Sequence, residues 1–261
     1  MTSFSSGSSP SIDMNDKDRF ARAKESLENP HLRYNIGTYM ERSQHLLLKL
    51  FYESDIGFHE VPFQGYIADI LNDKGITEIQ TVGFRALHDK LAVFLPSYPV
   101  TVAYPVCEKK RIMWTDPDSG DVECGRYTTY PRKKYAILSE LLSIVEYFGD
   151  PRLTVHLVSM AVSQYKVKDG YGKDKKLRAT KLDTVPEELI DITVLKDADD
   201  IRRLLPFKAG DKLLTKDISK ALGLTRVRLW KAIKFLTITE ILVQTGKKGN
   251  GIIYEVTAEN Q

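Results

Sequence analysis

Apolar positions recur every three or four residues in TYMERSQHLLLKLFYE, where Met40, Leu47 and Phe51 fall at helical spacing and predict a helix from Thr38. Before it, Asp18 to Glu28 reads as a short charged helix stopped at Asn29-Pro30. HEVPFQGYIADILN and ITEIQT then read as two strand-like runs, separated by the turn residues Asp73, Lys74 and Gly75. FRALHDKLAVFL has the pattern of an amphipathic helix ending at Pro96, and VTVAYPV follows as an apolar strand. RIMWTDPDSGDVE predicts a hairpin around residues 117–120, YAILSELLSIVEYFG a helix ending at Gly149, and LTVHLVSMAVSQYKV a β-rich run. Strand, helix, strand in succession predicts a crossover that makes ITEIQT and VTVAYPV parallel neighbours. The fold class expected is therefore α/β (α+β), a mixed-sheet sandwich. No strand is followed by a glycine-rich phosphate loop, which counts against nucleotide-binding folds.

The last quarter has a different pattern. KDISKALGL, capped by Thr215, and RVRLWKAIKFLT, capped by Thr225, are two short helices joined through Gly223. EILVQT and IIYEV then form a hairpin around Gly246 to Gly251. These features divide the chain into a disordered tail (1–18), an α/β domain (19–197) and a small C-terminal domain (198–261).

Composition narrows the function classes. The 261 residues are 42% hydrophobic and 28% charged, ordinary for a globular protein. No apolar run approaches the roughly 18 residues that cross a bilayer. Six serines in the first eleven residues, with no apolar stretch, do not make a secretory signal. Two cysteines, Cys107 and Cys124, are too few for a disulfide framework or a four-ligand zinc site, and reduced thiols suit the cytoplasmic location expected. Charge is clustered: Lys208 to Gly251 carries ten Lys/Arg against three acids, in a chain whose net charge is +3. Lys166 to Lys181 carries seven Lys/Arg against Asp169 and Asp174. Such clusters are the footprint of a polyanion partner, with a solvated lysine-rich surface as the plain alternative. YTTYPRKKY, residues 127–135, mixes rings with cations in a way that suits stacking on nucleic acid or a surface loop equally.

Candidate chemistry lies on the two central strands. Glu78 and Gln80 are two apart on ITEIQT and share one face. A two-residue loop at Asp73-Lys74 places Asp69 opposite Glu78, with Cβ atoms about 5 Å apart, close enough to share one divalent ion. A bulge at Gly75 instead slips the register and turns Asp69 to the other face. His45, one helical turn after Glu41, is a further candidate for proton transfer or a structural histidine.

Gly37-x-x-x-Glu41 on a helix, a strand aspartate, Glu-x-Gln on the next strand and then a helix resemble the core of the PD-(D/E)XK nucleases. The resemblance covers roughly residues 37–106 and implies a restriction-endonuclease-like fold. It also implies Glu41, Asp69 and Glu78 as ligands of Mg²⁺ or Mn²⁺. With Gln80, these would form the catalytic set of a phosphodiester hydrolase. Ala68 stands where the motif has proline, and Gln80 where it has lysine; Lys90 or Arg85 on the following helix could return the missing charge. The chain is also similar to a group of uncharacterised bacterial proteins with an IEIQT-like strand, a likeness that supplies no activity.

Residues 198–257 resemble a winged helix domain. That resemblance implies a recognition helix RVRLWKAIKF and a wing GKKGNG, with Trp230 and Ile233 facing the core. Arg226, Arg228, Lys231, Lys234, Lys247 and Lys248 are then the residues expected to bind nucleic acid. Three functions follow from the sequence. The first is a divalent-metal-dependent nuclease acting on duplex DNA, with a homodimer as the arrangement that would cut both strands. The second is a non-catalytic DNA-binding regulator with a degenerate core, and the third a protein-interaction module.

Overall fold

The computed structural model describes residues 14–27, 43–81, 83–170, 179–249 and 251–259. It is a mixed α/β protein with a large mixed sheet, in the order β1-β2-β3-β4-β7-β8. The strands are β1 (His59–Phe63), β2 (Tyr66–Asn72), β3 (Gly75–Ile79), β4 (Val100–Thr115), β7 (Leu153–Val167) and β8 (Thr180–Leu195). Two short strands, β5 (Val122–Cys124) and β6 (Thr128–Thr129), pair with β4. A second sheet of three strands is built from β9 (Lys212–Leu214), β10 (Leu242–Lys248) and β11 (Gly251–Val256), with β11 in the middle. The helices are α1 (Met14–Leu27), α2 (Ser43–Tyr52), α3 (Arg85–Phe94), α4 (Ile137–Leu141), α5 (Ala198–Leu204), α6 (Thr215–Leu222) and α7 (Arg226–Ile238). None of the described helices is long and apolar enough to cross a membrane.

Two compact units share the chain. One comprises residues 1–59, 105–130 and 157–193; the other comprises 60–104, 131–156 and 194–261. In the first, α1 packs on α2 through the edge-to-face pair Phe20–Phe51. The second unit contains both clusters of candidate residues whose positions are described. Its core is built on α3, where Leu87, Leu91 and Phe94 recur at i, i+4 and i+7 and are fully buried. Phe94 meets Phe63 of β1 and Tyr66 of β2, and Phe84 meets Tyr104 of β4. Burying each such side chain contributes roughly 1.5–3 kcal/mol.

β3 and β4 pair in parallel through Ile76↔Val100 to Ile79↔Ala103, the expected neighbours joined by a helix. Gly75 starts β3 with a φ of 116°, and a Cβ there would come within 2.3 Å of the Pro99 carbonyl oxygen. The same carbonyl accepts from the Ile76 N–H at 3.0 Å, so the backbone cannot simply withdraw. Gly75→Ala should lower stability by about 2–4 kcal/mol, read from the denaturant midpoint, because it adds both backbone strain and overpacking.

Several elements differ from the sequence expectation. Residues 14–18, read as tail, form the first turns of α1, where Asp16 complements the helix N-terminus and pairs with Arg19. Residues 1–13, read as tail, and 28–42, where one helix was expected to end and the next to begin, lie outside the described residues. HEVPFQGYIADILN is two strands, turned at Gln64 (φ 46°) and Gly65 (φ 86°). The helix expected over 135–149 is one α-helical turn and a half, flanked by 3₁₀ segments at Pro131–Ala136 and Leu142–Ile144. VTVAYPV is the first part of a 16-residue strand, and the hairpin after it pairs Met113 with Cys124 and Thr115 with Val122. Both cysteines are free, Cys107 half-buried and Cys124 exposed.

Candidate functional site

The β2–β3 hairpin turns through Asp73 and Lys74 alone. Its ladder pairs Asn72 with Gly75, Leu71 with Ile76 and Ile70 with Thr77. Gly75 makes no bulge, so the next positions along the ladder are Asp69 and Glu78. Here side chains take over from the backbone: Glu78 Oε1 accepts from the Asp69 N–H at 3.2 Å, and Asp69 Oδ2 accepts from the Ile79 N–H at 2.7 Å. Each carboxylate thus holds the main chain of the facing strand, which fixes the pair rigidly. These bonds also give the two acids a structural role in closing the hairpin.

Glu78 is 0% exposed. Burial pushes its carboxyl up to about 7, the neighbouring Asp69 charge pushes the same way, and Lys90 opposes both. Lys90 reaches from α3 to donate to Glu78 Oε2 at 2.7 Å and to the Ile67 carbonyl at 2.7 Å. Gln80, two residues after Glu78 and just past the end of β3, lies with its amide Nε2 3.4 Å from the same Glu78 oxygen, and its backbone N–H donates to the Ala103 carbonyl at 2.9 Å. Of the two helix cations considered for the missing motif charge, Lys90 makes the contact, while Arg85 is exposed at the start of α3.

Asp69, Glu78, Gln80 and Lys90 are therefore brought together by two strands and one helix. Glu41 lies outside the described residues, and His45 is half-buried on α2. Among the described residues, no group of three or more His, Cys, Asp or Glu could hold a metal ion. The pair itself fits a hard divalent cation in its donor chemistry: two carboxylates, one of them buried, whose mutual repulsion a cation would relieve. Asp69 and Glu78 would hold such an ion, with Lys90 competing for one Glu78 oxygen.

The second cluster lies on α6, α7 and the β10–β11 hairpin. α6 ends at Gly223, which adopts φ 65° as a left-handed cap, and α7 follows after Leu224 and Thr225. One cap assignment changes. Leu214, not Thr215, is the N-cap of α6, where its N–H donates to Asp217 Oδ2 at 3.0 Å; Thr225 caps α7 without a side-chain bond. α7 buries Ala232, Ile233, Phe235 and Leu236, and Phe235 meets Phe148 edge to face.

Trp230 is not in the core but 60% exposed. It lies two positions before Ala232, about 200° round the helix from that buried stripe. Val227 and Lys234, three before and four after it, share its outward face, and the Lys234 ammonium sits 5.2 Å from its ring centre. Arg226, Arg228 and Lys234 are exposed, and Lys231 is half-buried. β10 and β11 stay paired out to Lys248↔Gly251, so the expected six-residue wing loop shortens to Gly249 and Asn250, of which Asn250 lies outside the described residues. Lys247 and Lys248 are exposed near its tip. Arg132, one of the cations of the 127–135 stretch, donates to the Lys220 carbonyl near the end of α6 at 2.8 Å.

A family model described as "Domain of unknown function (DUF8091)" matches residues 42–196. That span takes in Asp69, Glu78, Gln80 and Lys90 and ends just before α5. The chain is 24% identical over 222 residues to an uncharacterized protein of Treponema pallidum (strain Nichols), covering 84% of this chain and 86% of that one. No solved structure matches the chain.

Proposed function

The chain belongs to the DUF8091 family, and for it we propose divalent-metal-dependent hydrolysis of DNA phosphodiesters, targeted to duplex DNA by α7 and the β10–β11 hairpin. One observation carries the proposal: Asp69 and Glu78 face each other across the hairpin, with the Lys90 ammonium 2.7 Å from Glu78. On this reading β2, β3 and α3 belong to a restriction-endonuclease-like core, and Lys90 replaces from the helix the lysine that Gln80 displaces from the strand.

Asp69 and Glu78 would hold Mg²⁺ or Mn²⁺, which when bound lowers the pKa of a water and offsets charge on the scissile phosphate. Lys90 keeps the Glu78 carboxylate oriented and places a positive charge where phosphate charge develops. The Gln80 amide can orient an attacking water by hydrogen bonding, though it brings no charge. The order helix, strand, helix, helix, strand, strand from α5 to β11 supports a winged helix reading of residues 198–257. There Arg226, Arg228, Lys231 and Lys234 supply the basic helix, and Lys247 and Lys248 the basic wing.

A second reading, a DNA-binding regulator without turnover, draws on a different observation. Both Glu78 oxygens already have protein partners, and Gln80 stands in the lysine position. Purified protein incubated with single-stranded, duplex and branched DNA separates the two. Cleavage that requires Mg²⁺ or Mn²⁺ and is lost in EDTA and in Glu78→Gln is the expected result. A gel shift without cleavage on any substrate would favour the regulator.

A further inference from the structure

We infer that the sheet face carrying Lys110 and Trp114 is a docking surface for single-stranded nucleic acid, distinct in residues and ligand from the duplex-binding helix proposed above. Side chains alternate along β4, so Lys110 and Trp114 stand on one face, about 13 Å apart at roughly 3.3 Å per residue. Each belongs to a ring-and-cation pair. The Lys166 and Lys168 ammonium groups, from the end of β7 and just beyond it, lie 5.9 and 4.9 Å from the Trp114 ring centre. The Lys110 ammonium lies 5.3 Å from the ring of Tyr130, which is 41% exposed.

These pairs offer both halves of what a nucleotide needs, a flat ring for the base and a cation for the phosphate. An exposed cation–π contact is weaker than a stacked base on the same ring, so a base displaces the ammonium, which then turns to the phosphate. Stacking needs bases with open faces, and a duplex hides them; this makes a single strand the fitting occupant. Acidic residues bound the surface along β4: Glu108 precedes Lys110 on the same face, and the turn after Trp114 carries Asp116, Asp118 and Asp121. A polyanion therefore crosses β4 between them instead of running its length. The neighbouring pair of Arg111 with Tyr127 is not part of the surface, because Arg111 points to the other face and its charge is met by Glu187 at 3.3 Å.

The test uses the full chain carrying Trp230→Phe, which leaves Trp114 as the sole tryptophan. Oligo(dT) and oligo(rU) of about 20 nucleotides, and a duplex of the same length, are titrated while tryptophan emission is followed. Saturable quenching by the single strands, with little by the duplex, is expected, and the two oligonucleotides tell DNA from RNA as the preferred strand. Trp114→Ala with Tyr130→Ala should weaken single-strand binding, measured by polarisation of a labelled oligonucleotide, by about tenfold or more. Trp114→Phe with Tyr130→Phe keeps the rings and should retain most of it, which separates lost stacking from lost folding. Lys166→Ala with Lys168→Ala should flatten the salt dependence. Arg228→Ala with Lys231→Ala, aimed at the duplex site, should leave the quenching unchanged. No quenching by either strand, quenching equal with the duplex, undiminished affinity in the alanine pair, or loss of single-strand binding only in the α7 variant would each overturn the inference.

Discussion

Lys90→Met should reduce metal-dependent DNA cleavage by about 10²–10³-fold, the usual loss when one preorganised charge-stabilising group is removed. The expectation rests on where Lys90 is: its ammonium lies 2.7 Å from Glu78 Oε2 although it comes from α3 and not from the strand that carries the acid. Gln80, in the strand position, lies 3.4 Å from the same oxygen. The two positions therefore converge on one point, and charge can be moved from one to the other. Lys90→Met combined with Gln80→Lys should recover at least about tenfold of the lost rate, because the new ammonium starts from a backbone already facing Glu78. Turnover measured at saturating Mn²⁺ on the best DNA substrate reads this directly. Equal activity in wild type and Lys90→Met would remove the lysine from the mechanism. Loss in the single variant with no recovery in the double one would give it a purely local role in holding Glu78.

How far the sequence revealed this site depends on the range of the contacts involved. The Asp69–Glu78 juxtaposition followed from counting across a two-residue turn, since hairpin register is local arithmetic. It needed the structure only to choose between a tight turn and a bulge at Gly75. Lys90 could be named as a candidate because it follows Glu78 by one strand end and most of a helix, but its reach to Oε2 is a tertiary fact. Trp114 and its two lysines were not legible at all; some fifty residues separate them, and no spacing rule spans that gap. The same holds for β8, whose Pro186 and four acids lower its strand propensity. It ends the sheet order, an edge position where proline is tolerated. Trp230 failed for the opposite reason. Its bulk and apolarity argue for burial, yet helical phase fixed by Ala232, Ile233 and Leu236 turns it outward.

Glu78→Gln should make the protein more stable at pH 8 while abolishing its chemistry, and the difference should vanish at pH 4. The folded carboxyl is pushed from the ordinary 4.5 to about 7, first by burial and then by the Asp69 charge. Between those values the unfolded chain has released this proton and the folded chain still holds it. Stability from this group is therefore lost as pH rises from about 4.5 to 7, by roughly 1–3 kcal/mol, and stays lost above. Glutamine fills the same space and, like the protonated acid, offers one carbonyl oxygen that can accept from the Asp69 N–H or from Lys90 but not from both, and it has nothing to titrate. Subtracting its denaturation curve from the wild-type curve at each pH cancels the other titrating groups, several of which act in the opposite direction. Mn²⁺ should reverse the wild-type penalty, because holding a cation favours the ionised carboxylate, and its affinity should rise with pH through 7. A wild-type protein that gains in thermal stability with Mn²⁺ at pH 8 but not at pH 5, beside a Glu78→Gln variant indifferent to both, would place the cation at this acid. A difference curve flat in pH would mean that Lys90 keeps Glu78 ionised throughout, and the buried pair would then be a structural ion pair closing the hairpin.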